Sequence, residues 1–142
     1  MMKINFEGAI FCRENKSGIG VGIRDCSGSV LTSCSKKISQ AFKSSEVEAL
    51  AVVTALSFAT KLGITEAVLE GDPMEVIQAL IQPGSILSSI GPWIDDSKVL
   101  ANDFVQLQYS LIRRECNRLA HNLARYAIDK PDFLVWMDNI SS

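Results

Sequence analysis

The 142-residue sequence predicts an α/β fold, a mixed five-stranded sheet with helices on both faces. Three observations carry that expectation. Apolar residues alternate with period two over the first third of the chain, the period becomes helical from Ser45, and two later short strands are separated by helical segments.

In the first strand Ile4, Phe6, Gly8 and Ile10 alternate with Asn5, Glu7, Ala9 and Phe11. Asn15-Lys16-Ser17-Gly18 has turn chemistry, after which Ile19, Val21 and Ile23 alternate with Gly20, Gly22 and Arg24. Asp25-Cys26-Ser27-Gly28 is a second turn, and Val30 to Cys34 a third strand. Three strands joined by tight turns make an antiparallel meander. Beyond Ser45, Val47, Leu50, Ala51, Thr54, Ala55, Phe58 and Ala59 recur at helical spacing, and Gly63 is placed to end that helix. Ala67 to Glu70 reads as a strand, Met74 to Ile81 and Pro92 to Phe104 as helices, Val105 to Arg113 as a strand, and Asn117 to Ile128 as a last amphipathic helix. Strands reached through helical crossovers are expected to run parallel. The tail, 129–142, carries Phe133, Leu134 and Trp136, which would be wasted unless it docks on the body. One domain spanning 1–142 is expected.

Hydrophobic residues at 47% and charged ones at 21% exclude a disordered chain. Fourteen Lys+Arg against sixteen Asp+Glu give a net charge of −2. That balance excludes a protein that grips nucleic acid by bulk positive charge but leaves room for a local basic strip. Cys12, Cys26, Cys34 and Cys116 form no C-x-x-C pair, so zinc-site spacing is absent. The N-terminal residues hold no continuous apolar run of a secretory signal, and the longest apolar stretch, Ala49 to Ala59, is about half a membrane span. An intracellular protein, nuclear or cytoplasmic, with reduced thiols and no membrane partner, is expected.

Four polar residues invite a chemical reading. Glu7 fits a solvated strand position, or a ligand-facing one that Gly8 leaves open to close approach. Ser45-x-x-Glu48 reads as a capping box, yet Glu48 shares a stripe with Ala51, Val52, Ala55 and Ala59, which puts it at the sheet's edge. Asp72 before Pro73 reads as an N-cap, with Glu75 completing a second box, and it also ends a strand, where α/β folds gather ligands. His121, the single histidine, lies on a helical face with Asn117, Ala124 and Ile128 and reads either as packed or as a ligand. An acid on strand one, an acid opening the first helix, an acid ending strand four and a polar residue in the last helix form the order that two-metal phosphodiester hydrolysis uses. There, oxygen ligands hold two Mg²⁺ ions roughly 4 Å apart.

Lys3-Ile4-Asn5-Phe6-Glu7-Gly8-Ala9 resembles the "K-x-N-x-D-G-A" opening of the type 1 ribonuclease H domain, closest to the plant branch associated with retroelement reverse transcriptases. Gly18 to Gly28 resembles that branch's second hairpin, Val47-Glu48-Ala49-Leu50-Ala51 its "A-E-A-x-A" helix, and Leu69-Glu70-Gly71-Asp72 its "x-E-x-D" strand end. Arg113 to Ala124 resembles its "R-E-x-N-x-x-A-D-x-L-A" segment. The likeness runs over about 3–128, in order.

The resemblance implies an RNase H-like fold and an endonuclease that cleaves RNA in RNA–DNA hybrids with Mg²⁺ or Mn²⁺ and no small-molecule cofactor. The catalytic and metal-site positions it implies are Glu7, Glu48, Asp72 and His121. Glu7 stands where the family has aspartate and is one methylene longer, enough to misplace a bridging ligand. His121 also stands where the family usually has aspartate, and imidazole is a poorer partner for Mg²⁺ than for Mn²⁺. A histidine found in the loop before the last helix of many relatives is missing. Lys16, Ser17, Gly18, Arg113, Arg114, Asn117 and Arg118 are the expected nucleic-acid contacts. The basic helix of some relatives is replaced by a stretch with Asp95, Asp96 and Asp103 against Lys98, so binding is expected to be weak and salt-sensitive, by a monomer. A second expectation is a catalytically impaired retroelement-derived copy, kept as a nucleic-acid-binding or protein-interaction module. Opening directly on its first strand, the chain looks like a piece of a longer polyprotein.

Overall fold

A computed structural model describes residues 1–85 and 88–137. The meander forms as β1 (Met2–Phe11), β2 (Lys16–Arg24) and β3 (Val30–Ile38), paired antiparallel with Phe6 opposite Val21 and Val21 opposite Cys34. Asp25 Oδ1 accepts the Ser27 and Ser29 amides at 2.9 and 3.0 Å and so builds the β2–β3 turn. Helix α1 (Ser44–Lys61) ends where Gly63 takes φ +79°, and the Ile64 amide reaches back to the Ala59 carbonyl at 3.1 Å.

After α1 come β4 (Glu66–Gly71), α2 (Met74–Ile81), α3 (Gly91–Ala101), β5 (Gln106–Leu111), a 3₁₀ turn at Arg114–Asn117, α4 (Arg118–Tyr126) and a further 3₁₀ turn at Ala127–Asp129. Both crossover strands are parallel: β4 lies beside β1, and β5 beside β4. The expected helix to Phe104 stops at Ala101, and the expected strand Val105 to Arg113 shortens at both ends. The last helix loses a residue or two at each end to the flanking 3₁₀ turns.

The sheet has six strands, not five, in the order β5-β4-β1-β2-β3-β6. The sixth, β6 (Phe133–Met137), pairs antiparallel with the free edge of β3, Cys34 opposite Val135. Part of the tail is therefore a strand; 138–142 lie outside the described residues.

Helices cover both faces. Ile4, Phe6, Ile19, Val21, Ile23 and Leu69 meet Val47, Val52 and Leu56 of α1 in one core that extends to Val76 and Ile94. Each such fully buried side chain contributes roughly 1.5–3 kcal/mol. On the other face α4 lies directly on β2, because Gly18, Gly20 and Gly22 present no side chains there. A Cβ at Gly18 or Gly20 would sit 2.0 Å from the carbonyl oxygen of Ala124 or Ala120. The Ser35 hydroxyl donates to the Leu123 carbonyl at 2.7 Å and ties β3 to the same helix. The four cysteines are free thiols, and among the described residues no helix is long and apolar enough to cross a membrane.

Candidate active site

Strand β1 sends consecutive residues to opposite faces. Glu7 shares the α4 face with its cross-strand partner Gly20, while Gly8 faces α1. A Cβ at Gly8 would lie 2.8 Å from Val47 Cγ1 and 2.9 Å from Glu48 Oε1, so its absence lets α1 begin against the strand. The space is filled from within, and the Gly8 amide donates to Glu48 Oε1.

The expected capping box at Ser45 and Glu48 does not form. The cap lies two residues earlier: Lys43 is the N-cap, and Glu46 Oε1 accepts the Lys43 amide at 3.0 Å. With the cap role taken by Glu46, Glu48 is left buried at the sheet's edge, at 9% exposure. Burial pushes its carboxyl up to about 8, the Gly8 amide opposes this, and the charges of Asp72 and Glu7 add to it.

Asp72 is likewise not the N-cap. That position is Pro73, whose carbonyl accepts the Ile77 amide at 3.1 Å, and no side chain caps α2. The residue before the proline is pushed towards extended backbone, which leaves the Asp72 carboxylate free of the helix. Its Oδ2 lies 3.8 Å from Arg114 Nε. Glu48, Asp72 and Arg114 line one cleft of about 570 Å³ together with Ser45 and Pro73.

From α4, His121 presents Nδ1 to Glu7 Oε2, an ion pair when the ring is protonated. Glu7 is 3% exposed, and burial raises its carboxyl above the ordinary range while His121 pulls it back. Asn117 completes the corner. Its Nδ2 donates to the Phe6 carbonyl at 2.8 Å and lies 3.5 Å from Glu7 Oε1, and its Oδ1 is buried without a partner.

The fold thus brings Glu7, Glu48, Asp72 and His121 together, close enough that the acids act on one another's ionisation. It divides the expected nucleic-acid contacts. Arg113, Arg114 and Arg118 are exposed and Lys16 is half-buried. Ser17 is fully buried, donating to the Gln40 carbonyl at 2.7 Å and accepting the Phe42 amide at 3.2 Å. Gly18 lies under α4, and Asn117 is buried beside Glu7. These three take part in the packing of β2, α4 and the β3–α1 connection.

One polar group went unread in the sequence. Arg24 Nε donates to Asn5 Oδ1 at 2.9 Å, Arg24 Nη2 meets Glu70 Oε1 at 3.1 Å, and Asn5 Nδ2 donates to the same oxygen at 3.1 Å. The network joins β2, β1 and β4 two residues before Asp72, and its members Asn5 and Glu70 are buried.

The donors suit a hard cation, being carboxylate oxygens, two of them on buried acids that no lysine or arginine neutralises directly. Among the described residues no three His, Cys, Asp or Glu side chains cage an ion by themselves. Mg²⁺ does not require such a cage, since one or two carboxylates with water and substrate phosphate commonly hold it.

A mixed sheet of this order, with α1 on one face and α4 on the other, defines an RNase H-like α/β fold. The fold is shared at a TM-score of 0.83 with RNase H1 from the halophilic archaeon Halobacterium salinarum, 20% identical over 90% of this chain and 97% of that one. It is shared at 0.80 with the N-terminal RNase H domain of Rv2228c from Mycobacterium tuberculosis, 24% identical over 90% and 93%. LC11-RNase H1, isolated from compost and solved with an RNA/DNA hybrid, matches at 0.79, with 21% identity over 91% and 97%. The reverse transcriptase-like family model matches residues 5–127, and the chain belongs to that family. No curated protein matches the sequence.

Proposed function

We propose that this chain is an RNase H-type nuclease that hydrolyses the RNA strand of an RNA–DNA hybrid with Mg²⁺ or Mn²⁺. The observation that carries the reading is a buried Glu48 beside Glu7 and facing the same cleft as Asp72, three acids brought together from β1, α1 and the β4–α2 connection. Glu48 and Asp72 are the principal ligands, Glu7 a third, and His121 an auxiliary one. A divalent ion held there would lower the pKa of a bound water and stabilise the charge that develops on the phosphate. The chain's own residues prepare the site. The Gly8 amide fixes the Glu48 carboxylate, Asn117 and His121 fix that of Glu7, and Arg114 stands at the rim beside Asp72 to meet a phosphate.

The motif likeness over about 3–128 supports reading residues 1–142 as one domain of plant retroelement type, and the few basic residues support weak binding; an intracellular monomer completes the proposal. Cleavage of an end-labelled hybrid in Mg²⁺ and in Mn²⁺, with Glu48→Gln as the blank, tests the activity. RNA-strand cleavage above the blank, greater in Mn²⁺, is expected; none in either metal overturns the reading.

A specific observation favours a second reading, a catalytically impaired nucleic-acid-binding copy. His121 already engages one oxygen of the overlong Glu7. Glu7→Asp combined with His121→Asp decides between the two: activity appearing only in the double variant marks the natural chain as an inactive copy.

A further inference from the structure

Beyond the acidic cleft lies a second one of about 510 Å³, lined by Arg114, Glu115, Arg118, His121 and Arg125. The segment from Arg113 to Arg125 holds four arginines (Arg113, Arg114, Arg118 and Arg125) against one acid, Glu115, in a chain whose net charge is −2. Arg118 and Arg125 lie two helical turns apart, about 10 Å along the axis at ~1.5 Å per residue. Among the described residues neither makes a salt bridge, whereas Arg114 pairs with Asp72, at 3.8 Å. Arg125 is exposed and its guanidinium lies 5.6 Å over the Phe11 ring, a contact that steadies a planar cation without using its hydrogen-bond donors.

The acidic stretch around α3, expected to offer little grip, offers none through its one lysine. Lys98 Nζ donates to the Gln82 and Gly84 carbonyls at 2.6 and 2.8 Å, and Asp95 and Asp96 beside it are exposed. Since α4 rests on the glycine stripe of β2, its arginine face continues directly from the Glu7–His121 corner. We propose that Arg118 and Arg125, with Arg114, form a phosphate track along α4 that takes the sugar–phosphate backbone of a nucleic-acid strand where it leaves the carboxylate site. Arg125 is a binding residue on this assignment, a role its sequence position did not announce. The inference rests on the nucleic-acid reading above and deepens it by naming the path of the strand.

Fluorescence anisotropy in chelator, where no cleavage occurs, tests it with a labelled RNA–DNA hybrid and a single-stranded RNA across a salt series. Arg118→Ala with Arg125→Ala is expected to weaken hybrid binding about tenfold and to lower the slope of log K against log salt by about 2. Arg125→Lys keeps most of the affinity, and Lys61→Ala at the end of α1 changes nothing. Because loss of Arg125 also removes its contact with Phe11, Arg118→Glu serves as a surface-only variant and gives a loss at least as large. Unchanged affinity and slope in the double variant and in Arg118→Glu overturn the track while leaving the hybrid reading in place. Equal binding of both probes, lost together in the double variant, keeps the track and overturns the hybrid as the preferred substrate. Binding of neither probe by the wild type overturns both.

Discussion

On its α1 side the sheet presents Ile4, Phe6, Ile19, Val21 and Ile23 to a fully buried apolar core. On its α4 side the same two strands present Asn5, Glu7, Gly18, Gly20 and Gly22. One face fills its space with side chains; the other removes them so that a helix backbone can come down onto a strand. The first arrangement supplies stability. The second supplies position, because a helix seated on glycine carries Asn117 and His121 to within reach of Glu7.

Each face can be broken in its own way. Leu69, fully buried on the α1 side, is expected to cost about 2–5 kcal/mol on truncation to Ala, read by denaturant unfolding. A smaller loss of up to a few kcal/mol is expected from pH alone in chelator. Folded Glu48 ionises at about 8 against an ordinary 4.5, so it binds its proton more tightly folded than unfolded. The stability this gives is complete below 4.5 and is lost as pH rises through about 8, and burial drives Glu7 in the same direction. Unfolding curves at about pH 5 and pH 8.5 should therefore differ in the wild type and differ less in Glu48→Gln, where the Glu7 contribution remains.

On the α4 side the damage comes from adding atoms. Gly20→Ala places a methyl 2.0 Å from the Ala120 carbonyl, a backbone clash that α4 can relieve only by lifting. A loss of about 1–3 kcal/mol is expected, together with a shift of the His121 ring resonances in an NMR spectrum as the Glu7 contact opens. An unshifted His121 signal in that variant would show that the glycine stripe does not position the site.

The same contrast explains what could be read in the sequence. The α1 face was legible because its signals are local: the helical period from Val47 to Ala59 and the left-handed Gly63 need no partner to be recognised. The β6 pairing was not, since Phe133–Met137 gains its partner from β3, about a hundred residues earlier, and leaves most of its side chains exposed. The four acidic and imidazole positions were found by their order along the chain. The reading of their local roles failed where a neighbour competed, with Glu46 taking the cap expected of Glu48 and Pro73 that expected of Asp72. The burial of Ser17, Gly18 and Asn117 was not legible, because only the descent of α4 onto β2 and the packing of the β3–α1 connection bury them.

The central claim is the proposal that Glu48, Asp72 and Glu7 together bind a divalent ion. The most direct measurement is the melting temperature of the metal-free chain, at a pH where Glu48 is ionised, before and after Mn²⁺ is added, in the wild type and in Glu48→Gln. At about a hundredfold excess over the dissociation constant, the wild type is expected to gain ~5–10 °C and the variant much less. No gain in the wild type, or the same gain in both, would contradict the account.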